Sequence, residues 1–216
     1  MLARFFREAL LVDIYLLRHA HVDYTPPNPI TAHNALTPLG HKMAGRLAER
    51  CREFELDLLV ASPLRRTQET AAAIRATCPS IPYLLMPEFA ELSITDMVAY
   101  EGVQPADDLY TWEEGHYAYG NERMWERVIA GWERLRTTIE ERGAERIALV
   151  SHGGPLNVIV RHVLGWDKPI RLRTAWIHFD YTATSCVRYV DGWQGIVWLN
   201  DARHIEDLTP VRQIPA

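Results

Sequence analysis

Three short apolar runs, each stopping at a cluster of polar or cationic residues, constrain this chain more than any other feature. Residues 12–17 (VDIYLL) end at Arg18-His19-Ala20, residues 57–61 (DLLVA) run into Ser62 through Arg66, and residues 146–150 (RIALV) run into His152-Gly153-Gly154-Pro155. Runs this short and rich in β-formers read as strands buried on both faces. Helix signals follow. Thr37-Pro38 supplies an N-cap and a first-turn proline ahead of Leu39, Met43, Leu47 and Cys51 at spacings of four. Ser62-Pro63 repeats that capping signal before a helix to about Cys78, and another helix runs from His152-Pro155 to Gly165. Strand followed by helix, repeated, predicts βαβ crossovers and a parallel sheet.

The rest of the chain fits one unit, residues 1–216. Residues 81–86 (IPYLLM) read as a further strand. Met124, Val128, Trp132, Leu135 and Ile139 mark one face of a helix over 121–142 that Gly143 stops. Alternation near 175–181, 184–190 and 193–199 predicts strands closing one side of the sheet. Residues 92–120 have no period and read as an irregular insertion covering the site.

With 48% hydrophobic and 24% charged residues there is material for a continuous core. A net charge of -5 gives no field that would collect nucleic acid or an acidic membrane, so neither is expected as a partner, and an anionic ligand needs a local group of cations. Cys51, Cys78 and Cys186 make neither a disulfide framework nor a metal knuckle, which fits a reducing cytoplasmic compartment. The N-terminal apolar stretch is broken by Arg7 and Glu8 and is too short for a signal segment, and no run reaches a membrane span.

Open α/β sheets build their sites at the carboxyl ends of their strands, where the three polar clusters fall. His19 alone, or His152 alone, reads equally well as a strand-end histidine with a hydrogen bond. Two histidines together with Arg18 and Arg66 gather like charge that only an anion would balance. A phosphate group suits them. Neutral imidazole attacks phosphorus, guanidinium forks grip nonbridging oxygens, and the amides of Gly153 and Gly154 at a helix start add donors. A carboxylic acid is then needed to protonate the leaving oxygen.

LLRHA at 16–20, SPLRRTQETA at 62–71 and LVSHGG at 149–154, in that order, resemble the motifs of the histidine phosphatase superfamily (phosphoglycerate mutase-like). LTPLGHKMA at 36–44, FAEL at 89–92 and LNDARHI at 199–205 are weaker echoes, so the resemblance spans about Val12 to Ile205. It implies a three-layer α/β/α sandwich whose mostly parallel sheet carries an antiparallel strand. It also implies that His19 accepts the phosphoryl group and that Arg18, Arg66 and His152 grip it, with the Gly153 amide at the helix start as a further phosphate-binding donor. Glu91 in FAEL is then the proton donor, with Glu88 its rival, and Arg65 faces solvent or an acidic neighbour.

Two departures bear on substrate. Ala20 stands where the motif has glycine, and Thr25 stands where the family carries an asparagine, so that amide donor is either missing or supplied by Asn28, His21 or His33. Thr25 and His21 are thus candidate substrate-binding residues. His21 and His33 match no common zinc spacing, and neither metal nor cofactor is expected. Residues 100–120 are aromatic without the lysine or arginine cluster a phosphoglycerate carboxylate would want, which favours a phosphatase acting on a small phosphorylated molecule. Phosphoglycerate mutase-type transfer and a non-catalytic phosphate-binding protein are the alternatives, and a homodimer is a candidate assembly.

Overall fold

The three apolar runs are strands, and their continuity reflects burial on both faces. The computed structural model describes residues 11–24, 33–91, 114–166, 176–190 and 192–208, with backbone alone for 114–121. Six strands, β1 (Leu11–Arg18), β2 (Leu58–Ala61), β3 (Tyr83–Leu85), β4 (Arg146–Ser151), β5 (Thr184–Val190) and β6 (Trp193–Asp201), form one sheet in the order β3-β2-β4-β1-β5-β6. The first four are mutually parallel, with Leu16 opposite Leu149 and Leu149 opposite Val60. β5 pairs antiparallel to both β1 and β6 and is the antiparallel strand of the set.

Alternate side chains of the central strands feed two cores. Ile14, Leu16, Leu58, Val60, Ile147 and Leu149 face α3 (Glu114–Arg142) and α4 (Gly153–Val163), where Trp132 is fully buried. Tyr15, Leu17, Leu59, Ala61, Ala148 and Val150 face α1 (Pro38–Arg52) and α2 (Arg65–Thr77). A helix layer on each face makes the predicted sandwich. Neighbouring β1 and β4 send their chains to opposite faces, β1 into α1 and β4 into α4, so a crevice opens beyond their carboxyl ends. His19 and His152 stand at that crevice.

Several local expectations change. α1 is capped as read, Thr37 Oγ1 accepting from Gly40 N–H at 3.0 Å. Ser62 does not cap α2; the helix begins at Arg65, after an extended Leu64 without a side-chain cap. No strand forms over the described residues 176–181. There the Asn157 side chain takes both backbone groups of Ile177, donating to its carbonyl and accepting from its N–H at 2.8 Å each, as a neighbouring strand would otherwise do. α3 begins at Glu114, so residues 114–120 of the expected insertion are helical, and residues 92–113 lie outside the described residues. Among the described residues no helix is long and apolar enough to cross a membrane.

Candidate active site

β1 ends by delivering Arg18 and His19 next to Ser151 and His152 of the neighbouring strand. Arg18 pairs with Ser151 in register, and His19 N–H donates to the Ser151 carbonyl at 2.9 Å. The two imidazoles stand with ring centroids 5.1 Å apart, and His19 and His152 are only 3% and 0% exposed. His19 Nδ1–H donates to the Ala20 carbonyl at 2.8 Å, which fixes the tautomer and leaves the Nε2 lone pair available. Burial, then the charges of Arg18 and Arg66, hold the His19 pKa well below the ordinary histidine value. The ring is therefore neutral at neutral pH, the form a nucleophile requires.

His152 is held the same way, by burial first and then by His19, Arg66 and Arg18. Its Nε2 lies 2.8 Å from Ser62 Oγ, which itself accepts from Leu64 N–H at 3.3 Å. With the serine donating to Nε2, the imidazole proton sits on Nδ1. That nitrogen is buried with no hydrogen-bond partner among the described residues. An orphaned buried donor costs roughly 1–3 kcal/mol, a penalty that an anion accepting its proton would remove.

The cations come from two elements. Arg66, in the first turn of α2, is 2% exposed, and burial pushes its pKa down while Tyr24 and Glu91 push it up. Arg18 donates to the Phe179 carbonyl and lies 4.2 Å over the Tyr181 ring. Tyr181 occupies a tight turn closed by Ala183 N–H donating to Asp180 O, with buried Thr182 in the left-handed region at φ 57°. A β-branched residue there stores roughly 1–3 kcal/mol of strain. Thr182 N–H donates to the Arg18 carbonyl at 3.1 Å, so the strained turn is tied to the end of β1.

Glu91 and Glu88 separate clearly. Glu91 reaches the start of α4, where Gly154 N–H donates to its Oε2 at 3.2 Å. A Cβ built on Gly154 would lie 2.2 Å from Glu91 Oε1, so only glycine admits the carboxyl group there. Glu88 points away and pairs with Arg134 at 2.6 Å. Because Glu91 takes the Gly154 amide, that N–H is not offered to an anion as the sequence suggested. Arg65, 57% exposed in its side chain, pairs with Glu69 at 2.7 Å, as expected.

His21 stands at the rim, its Nδ1 2.8 Å from Thr37 Oγ1 and its ring edge-on to Tyr181 at 5.1 Å. His33 instead lines a separate groove with Arg65 and Glu69. Thr25 and Asn28 lie outside the described residues. Ala20 is fully buried, its N–H donating to Thr70 Oγ1 at 3.1 Å, so the extra methyl group enters a small core with Met43 and Ala44. Sequence reasoning missed Tyr24, Tyr181 and Thr70 altogether and misread Ser62. For Thr70 a signal existed: it lies four residues after Arg66, on the same helical face.

The histidine phosphatase superfamily (branch 1) matches residues 14–202. A protein of Enterobacter sp. (strain 638) named as a probable phosphoglycerate mutase GpmB is 26% identical over 211 residues, covering 91% of this chain and 96% of that protein. A Schizosaccharomyces pombe protein named as a probable phosphatase is 22% identical over 202 residues, covering 90% and 96%. The solved structure of Bacillus stearothermophilus YhfR superposes with a TM-score of 0.72 at 20% identity, covering 90% of this chain and 100% of that one.

Proposed function

Because the chain belongs to the histidine phosphatase superfamily (branch 1), we propose that it hydrolyses a phosphomonoester through a phosphohistidine on His19. Arg18 and Arg66 take the nonbridging oxygens, His152 donates from Nδ1 and the Gly153 amide adds to the grip. His19 Nε2 attacks phosphorus in line, forming the N–P bond as the P–O bond to the leaving group breaks. The Glu91 carboxyl group gives its proton to the departing oxygen. Glu91 then takes a proton from water, whose oxygen attacks phosphorus. The N–P bond breaks, releasing inorganic phosphate and restoring neutral His19.

The observation that carries this reading is the locked tautomer of His19, which leaves Nε2 free on a buried ring within the fields of Arg18 and Arg66 and beside a second neutral imidazole. The three free cysteines, two of them buried, support a reducing cytoplasmic setting. The outward Trp193 and Val197 of β6 support a homodimer, which light scattering would detect.

The test is a panel of aryl and alkyl phosphomonoesters without added metal. His19→Ala should lower kcat/KM at least ~10³-fold, and rapid quenching of the wild type should trap an acid-labile phosphoenzyme that His19→Ala does not form. Full activity in His19→Ala would end the proposal. Loss of activity with excess chelator would point to a metal enzyme, and return of the trapped phosphoryl group to a phosphoglycerate in preference to water would make it a mutase.

A further inference from the structure

Glu91 sits on no helix or strand of its own. It follows a single 3-10 turn, Pro87–Phe89, whose short span cannot by itself fix a carboxyl group to the fraction of an ångström that proton transfer demands. The turn is framed from outside. Arg127, Gly131 and Arg134 occupy i, i+4 and i+7 of α3 and therefore one face of it.

Each of the three meets the turn. Arg127 Nη1 donates to the Glu88 carbonyl at 2.8 Å and the Ala90 carbonyl at 2.9 Å, with the Pro87 carbonyl at 3.4 Å. A Cβ built on Gly131 would come within 2.3 Å of Glu88 Cβ, so the turn rests directly on the helix backbone. Arg134 holds the Glu88 carboxylate. From the sheet side Ser151 Oγ donates to the intervening Phe89 carbonyl at 2.8 Å, and the Phe89 side chain is fully buried in the α3 core. Four consecutive carbonyls are thus satisfied by side chains from two elements that flank the site. Arg127 Nη1 alone reaches three of them, its two hydrogens shared among the three oxygens, and a lysine nitrogen, on a side chain one atom shorter, stops short of that position.

We propose that Arg127 is a positioning residue for the phosphoryl-transfer reaction, with Gly131 and Arg134 completing the mould that sets where the Glu91 carboxyl group stands. The inference rests on the reading of Glu91 as proton donor. Arg127 touches neither substrate nor phosphate in this scheme; it acts through the turn.

The experiment compares p-nitrophenyl phosphate with the best alkyl phosphate of the panel, using kcat/KM, which reports events up to phosphohistidine formation. Alkyl leaving groups need the acid and p-nitrophenolate hardly does. Arg127→Met and Arg127→Lys should both lose about 10- to 100-fold on the alkyl ester and less than about 3-fold on the aryl ester, in the range seen when a supporting residue is removed. In a Glu91→Gln background Arg127→Lys should cost nothing further on the alkyl ester. Arg134→Met, at the exposed edge of the same face, should show a smaller loss with the same selectivity and keeps the test open if Arg127→Met does not fold. Rescue by lysine, equal losses on both esters, or full additivity with Glu91→Gln would overturn the proposal. If Glu91→Gln itself fails to discriminate between the esters, the donor assignment falls. If it discriminates and neither Arg127 variant does, this inference alone falls.

Discussion

Gly154→Ala isolates the Glu91 carboxyl group with a single methyl. The new Cβ would lie 2.2 Å from Glu91 Oε1 and 3.1 Å from Met124 Sδ. The shortest ordinary C···O approach is about 3.3 Å, so the carboxyl group must retreat by about 1 Å. The Glu91 carboxyl group ends a flexible chain, and the buried Met124 thioether is unbranched and able to shift by a few tenths of an ångström. Misplacing a reacting group by that much costs about 10²-fold in rate, or about 2.7 kcal/mol of transition-state stabilisation. Folding should barely change. Helix α4 gains up to roughly 1 kcal/mol from replacing glycine, while the lost contact from Gly154 N–H to Glu91 costs about the same. The assay is kcat/KM on the alkyl and aryl esters together with the thermal midpoint. Gly45→Ala serves as the control, since its methyl group finds no atom within 4 Å. A large alkyl loss with a small aryl loss and an unmoved midpoint is expected. Equal losses on both esters, or an alkyl rate within 3-fold of wild type, would refute the placement of the acid.

The site also makes stability depend on pH. His19 and His152 have folded pKa values well below 6.5, so the unfolded chain binds protons that the folded chain refuses; the stability they leave is intact above pH 6.5 and is lost as pH falls below it. The slope is up to about 1.4 kcal/mol per pH unit for each histidine, and urea midpoints at pH 7.5, 6.5 and 5.5 should show it, flattened in His152→Gln; an unchanged midpoint from 6.5 to 5.5 would contradict the assignment. Ser62→Ala frees the His152 ring to adopt its other tautomer, and kcat/KM should fall about 10- to 100-fold on both esters alike. A loss confined to the alkyl ester would show that Ser62 acts through the acid instead.

Much of this arrangement was legible because double-sided burial writes itself as unbroken apolar runs, and polar residues at their ends have one direction to point. That logic placed Arg18, His19, Arg66 and His152. Ser62 resisted it, since Ser-Pro reads locally as a helix cap and its true partner is 90 residues away. Residues 175–181 alternate like a strand, yet an asparagine amide holds Ile177 where a strand would have paired. The start of α3 was hidden by two glycines among residues 114–120, which weaken the helical signal. Tyr181 depends on Thr182 adopting a backbone conformation that its own side chain disfavours, and no local preference announces that.

β4 comes fourth along the chain yet lies between β1 and β2 in the sheet. The His19 amide hangs on Ser151 and the Ser62 amide hangs on Val150, so both earlier loops take their seats from a strand that emerges more than 80 residues after the second of them. A chain halted before Arg146 would lack the strand on which both loops hang, leaving only the α1–α2 packing and the Ala20–Thr70 bond between His19 and Arg66. His152 follows that same strand, so the two imidazoles meet only once β4 has joined the sheet.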